Sequence, residues 1–150
     1  MTFSKTNLFV FAMFTAALIP PGLRAERPEC SVATMHGTYA VTGSGFSVGA
    51  NGAITPVTTL GTVTYDGLGG GSGSSTLSAG GTIIQHNTAT ATFTVNPDCT
   101  GSKTFTSTAT GAATHFDFVI TPDGATIKWI VTNSGAVLSG QATRLYRDIE

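Results

Sequence analysis

Residues 114–132 read THFDFVITPDGATIKWIVT. Phe116, Phe118 and Ile120 alternate with His115, Asp117 and Val119, and Ile127, Trp129 and Val131 alternate with Lys128 and Ile130. Side chains two apart on a strand share a face, so each half of the stretch presents one wholly apolar face. Asp123-Gly124 between the halves is a two-residue hairpin signal. A two-residue turn there sets the register: Phe118 faces Trp129, Phe116 faces Val131 and Ile120 faces Ile127. The next turn signal, Ser134-Gly135, places Gly140 opposite Trp129 by the same logic. A bare backbone at that point leaves room for the indole.

The pattern continues outward in both directions. Strands are expected over 37–46, 57–65, 72–78, 82–95, 102–110, 114–121, 126–132 and 137–146, separated by Gly, Asn and Asp. Thr, Ser and Gly dominate, which suits strands and turns rather than helix; a turn at 31–36 is the exception. Ala89, Ala91, Phe93 and Val95 share one face and Thr88, Thr90, Thr92 and Thr94 the other, and Phe105 opposes Thr104 and Thr106. Nearly all connections are of hairpin length, so the reading is an all-β, antiparallel up-and-down meander of about eight strands. Such a meander buries its apolar face as a closed small β-barrel or as a β-sandwich. Closure removes exposed edges, which favours the barrel. The outward faces are threonine rather than a lipid-facing band with aromatic girdles, which argues against a membrane barrel.

The chain begins with one cation, Lys5, then an apolar run from Leu8 to Ile19, then Pro20-Pro21-Gly22 and Leu23-Arg24-Ala25. That is the pattern of a secretory signal peptide. The run is shorter than the roughly 20 residues that span a bilayer. The expected division is therefore 1–25 as leader and 26–150 as one barrel domain, secreted to the periplasm or the exterior, with no membrane span after cleavage. Arg27-Pro28-Glu29 ahead of Cys30 is not a lipidation site. Both cysteines, Cys30 and Cys99, fall in the exported part, where a lone pair is most simply one disulfide; two free thiols are the alternative. Beyond residue 25 there are five cations and eight carboxylates, with no basic patch. Nucleic acid is therefore not an expected partner. Nothing in the sequence specifies an oligomeric state.

Four segments carry a resemblance: Gly37-Thr-Tyr39 a few residues after Cys30; Gly61-Thr-Val-Thr-Tyr-Asp-Gly-Leu-Gly69; Ala91-Thr-Phe-Thr-Val-Asn-Pro-Asp-Cys-Thr-Gly101; and Val137-Leu-Ser-Gly-Gln-Ala-Thr-Arg144. Together they resemble a group of small exported bacterial proteins of unassigned function with a G-x-Y strand, a D-G-x-G hairpin and a T-V-x-x-D-C-T-G hairpin. The resemblance covers nearly all of the exported chain. It implies a bacterial source and a small barrel loosely similar to calycins and to the allene-oxide-cyclase barrel, and it implies no activity. Avidin-like barrels also begin with a Cys and a G-x-Y/W strand, but several tryptophans line their biotin site and Trp129 is alone here. Allene-oxide-cyclase-like enzymes set a carboxylate near the reacting centre. Here Glu26, Glu29 and Glu150 lie at the termini, and Asp117 points away from the Phe face.

No catalytic or metal site and no cofactor is expected. His115 and Asp117 share a face, but it is the outer one, with Asp117 diagonal to Lys128. His36, His86 and His115 come from separate segments without metal-ligand spacing. Ser107 and Ser139 lack the strand-to-helix elbow of a nucleophilic serine, and Gly67–Gly73 has no following helix to present amides to a phosphate. Asp98 reads as a hairpin cap. The expected inner wall mixes aromatics with small residues: Ala89, Ala91, Phe93, Phe105, Phe116, Phe118, Trp129, Leu138, Gly140 and Ala142. Phe93, Phe105, Phe116, Phe118, Trp129, Leu138 and Gly140 are the candidate ligand-binding residues. The expected function is non-catalytic binding of a small apolar molecule inside the barrel. Two other readings stay open: a cyclase or isomerase using the same cavity, and a structural or surface-interaction protein with a packed core. The enzyme reading is the weaker, because it needs a titratable group inside the barrel and none is expected there.

Overall fold

The computed structural model describes residues 29–146; the leader expected over 1–25 lies outside them. A short 3-10 turn, Val32–Thr34, precedes eight strands: β1 His36–Val48, β2 Ile54–Asp66, β3 Gly70–Ala79, β4 Thr82–Val95, β5 Thr100–Ser107, β6 Ala113–Ile120, β7 Thr126–Val131 and β8 Ala136–Tyr146. Each pairs antiparallel with its neighbours in sequence, and β8 pairs with β1 to close the barrel. The sandwich is thereby excluded. The registers follow the alternation: Phe118 pairs with Trp129, Phe116 with Val131, Ile120 with Ile127, and Trp129 with Gly140.

One end is filled. Tyr39, Tyr65, Phe93, Phe118, Ile120 and Ile127 are buried there, and Met35 is wholly buried beside them. Tyr39, Tyr65 and Phe93 stack edge-to-face in series, with centroids 5.6 and 5.2 Å apart, a favoured aromatic geometry. The N-terminal turn is fastened beneath this core. Cys30 is bonded to Cys99, 69 residues away, with Cα atoms 4.9 Å apart, and Cys30 N–H donates to Pro97 O.

Arg144 completes the closure. It donates to Thr34 O at 2.8 Å, Asp123 O at 2.9 Å and the Tyr39 hydroxyl oxygen at 2.8 Å, and Tyr39 in turn donates to Gly124 O. Gly124 must be glycine twice over. Its φ is +68°, and a Cβ would lie 2.2 Å from Thr34 O, so the turn that sets the β6–β7 register also makes room for the N-terminal turn. At the Asp98 hairpin the carboxylate accepts from Thr100 N and Thr100 Oγ1, and those bonds hold its carboxyl below the usual range. The opposite end, where β1 meets β2 and β7 meets β8, has no such cover among the described residues.

Candidate functional site

The open half of the barrel holds a cavity of about 530 Å³. Its walls are aliphatic residues: Val41, Val57, Leu77, Ala79, Ala89, Ala136 and Leu138. Its floor is aromatic. Phe105, Phe116 and Trp129 line it and interlock edge-to-face, with Phe105–Phe116 centroids at 5.5 Å and Phe116–Trp129 at 5.3 Å. Ser47, Thr59, Asn87, Thr114 and Asn133 add polar groups. No acidic residue or histidine is among the cavity-lining residues.

Trp129 lies across the barrel because two glycines admit it. A Cβ at Gly43 would come 2.2 Å from the Trp129 ring, and one at Gly140 would come 2.4 Å from it and 2.1 Å from Thr42 O. The indole therefore rests on two bare stretches of neighbouring strands, β1 and β8, which are themselves paired at Gly43–Gly140. Its Nε1–H is buried and has no hydrogen-bond partner among the described residues.

Of the seven residues expected to line a ligand site, Phe105, Phe116, Trp129 and Leu138 border the cavity. Phe93 and Phe118 do not; they are buried in the filled half. Gly140 is the bed of the indole and makes no part of the cavity wall. His115 and Asp117 are exposed on the outer face, with His115 Nδ1 3.0 Å from Thr104 Oγ1. Among the described residues no group of three His, Cys, Asp or Glu is placed to hold a metal.

One expectation is overturned. The barrel does contain a titratable group, Lys103, only 3 % exposed and lining the cavity at its floor. It lies two residues before Phe105, so the alternation that turns Phe105 inward turns Lys103 inward with it. That signal is present in the sequence, in the two-residue spacing from Phe105. Its Nζ is 3.3 Å from the Tyr65 hydroxyl, to which it donates. Five rings surround it at 5.3–5.9 Å: Tyr65, Phe105, Phe116, Phe118 and Trp129. It makes no ion pair with any described residue, and desolvation pulls its amine down to about 7. Burial also drives the Tyr65 phenol far above its usual range, so that hydroxyl stays protonated.

The site thus offers a largely apolar chamber with two buried nitrogen donors, the Lys103 amine and the Trp129 indole, and no acidic side chain among the described lining residues. Comparison with family models, with curated proteins and with solved structures finds no match to this chain.

Proposed function

We propose that the protein is an exported, non-catalytic barrel that takes one small apolar molecule into its open half. The observation that carries this reading is the cavity: about 530 Å³, walled by Val, Leu and Ala over an aromatic floor. That volume is in the range of small-molecule sites, which are mostly apolar with a few placed polar groups. The small inward residues of β3 and β4 contribute much of it; Gly73 pairs with Ala89, and neither side chain fills the space between the walls. Export is supported by the Cys30–Cys99 bond, which persists in oxidising compartments, together with the leader pattern of residues 1–25. A packed structural role fits only the filled half. The cyclase or isomerase reading finds no carboxylate among the cavity-lining residues.

The test is titration with N-phenylnaphthylamine, a neutral probe whose emission rises in apolar surroundings. A saturable rise at one probe per chain, with matching loss of Trp129 emission, is expected. Ala89→Trp, a ring placed in the wall opposite Gly73, should abolish the response without unfolding the barrel. Failure of the probe to bind the parent protein, or equal binding by Ala89→Trp, would refute the reading.

A further inference from the structure

The floor of the cavity is chemically unusual in a way that binding of a merely apolar molecule does not use. A lysine buried to 3 % exposure normally has a carboxylate partner, and Lys103 has none among the described residues. Its nitrogen is held by one hydrogen bond, to Tyr65, and its other neighbours are ring faces and edges. Among the described residues the amine is the only titratable group lining the cavity. The other titratable group that faces it is the Tyr65 phenol.

We propose that Lys103 captures an apolar aldehyde as a Schiff base, so that the cavity binds its ligand covalently and reversibly. The proposal rests on the cavity being the binding site, and names the class of ligand that site takes. A ligand entering the open end reaches the aromatic floor with its leading group beside Nζ. The nitrogen lone pair attacks the carbonyl carbon, and one amine proton passes to the former carbonyl oxygen to give a carbinolamine. That oxygen then leaves as water, taking the second amine proton, as the C=N bond forms. One amine and one aldehyde become one imine and one water; nothing is oxidised or reduced.

Three features of the site favour this chemistry. Burial keeps a large share of the amine neutral near pH 7, and a desolvated lysine in an apolar pocket is the usual form of a Schiff-base nucleophile. The Tyr65 hydroxyl at 3.3 Å fixes the nitrogen in place. Lys103 is only 3 % exposed, which limits the water that can reach the nitrogen to hydrolyse the imine. A carboxylate ligand would instead have to shed its own hydration to pair with the amine, a cost that ion pairing in a dry interior often fails to recover.

Lys128 provides an internal control. It and Lys103 are the only lysines beyond residue 25, and Lys128 is exposed on β7. The full chain is incubated with cinnamaldehyde near neutral pH, reduced with sodium cyanoborohydride and mapped by peptide mass spectrometry. Expected at these two lysines is one adduct, formed about tenfold or more faster at Lys103 than at Lys128, as a desolvated lysine in an apolar pocket allows. Saturating N-phenylnaphthylamine should block it. Lys103→Met should lose the adduct while still binding the naphthylamine, which shows that it remains folded.

If the naphthylamine binds but the adduct falls on Lys128 as readily as on Lys103, capture is refuted and the cavity reading survives. The same holds if decanoate displaces the probe through Lys103 while no adduct forms there; the lysine is then an ion-pairing group. If neither probe nor aldehyde enters the parent protein, the cavity reading fails as well.

Discussion

Replacing Lys103 by Met tests the floor of the barrel without touching its fold. The side chains have similar length, and Met adapts to irregular apolar space. In the parent the amine is drawn from 10.5 to about 7 by desolvation. Between those values the unfolded chain keeps a proton that the folded protein gives up. Parent stability therefore rises with pH through that window, by roughly 1.4 kcal/mol per unit for one group. Below about pH 7 the full cost of burying the cation is present, about 4–5 kcal/mol for a shift of this size. One effect works against the variant's gain: loss of the bond to Tyr65 leaves a buried hydroxyl unpaired at about 1–3 kcal/mol. Lys103→Met should accordingly be more stable than the parent by about 1–4 kcal/mol near pH 6. The advantage should shrink as pH rises from about 7 to 9.5 and then reverse, leaving only the missing hydrogen bond. Denaturant unfolding of both proteins at several pH values measures it. A stability difference that does not change with pH over that range would refute a buried, titrating amine.

Three further outcomes are expected. Gly140→Leu places atoms where the indole and Thr42 O already sit; it should cost at least about 1–3 kcal/mol by overpacking and shift Trp129 emission to the red. In the parent that emission should be blue-shifted and poorly quenched by iodide, because Trp129 is 6 % exposed. Reducing Cys30–Cys99 opens a loop of 69 residues and should lower stability by about 3–5 kcal/mol in a chain-entropy account, and alkylation of the unreduced protein should label neither cysteine. Arg144→Ala removes the donors that join the N-terminal turn to Tyr39 and Asp123, so amide exchange at Thr34 and Met35 should accelerate with the barrel's own strands little changed.

Much of the architecture was legible because strand alternation and turn chemistry reinforce each other. The Trp129–Gly140 pair follows from a period of two and the two-residue turn at Ser134-Gly135, closed by Ala136 N–H donating to Asn133 O. At β6–β7 the expected register holds, but the tight turn is centred on Pro122-Asp123 rather than Asp123-Gly124, with Gly124 N–H donating to Thr121 O. Strand ends were less legible. β1 and β2 run farther toward the open end than the alternation suggests, to Val48 and from Ile54, because pairing between them continues through residues with no clear apolar face. In β4, His86 at φ +52° marks an irregularity where register shifts against β3 between Ser75 and Leu77; nothing in the local composition announces it. Face assignment alone gave the inner wall but not its depth. Phe93 and Phe118 point inward like Phe105 and Phe116, yet fall below the floor, because height along a barrel depends on strand stagger. Lys103 was legible by its two-residue spacing from the inward Phe105, although no titratable group was expected inside the barrel. The second glycine under the indole, Gly43, comes from β1 and is brought there only by the β1–β8 closure.

The claim at the centre of this account is that a ligand sits in the open half of the barrel, over Trp129 and Lys103. The competing place is the outer surface, where Phe46, Ile54 and Val137 are 49, 67 and 62 % exposed and Val137 and Phe46 are paired neighbours. Intermolecular NOEs from bound N-phenylnaphthylamine to assigned side chains separate the two. The account predicts contacts to Val57, Leu77, Leu138 and the Trp129 indole. Contacts confined to Phe46, Ile54 and Val137 would contradict it.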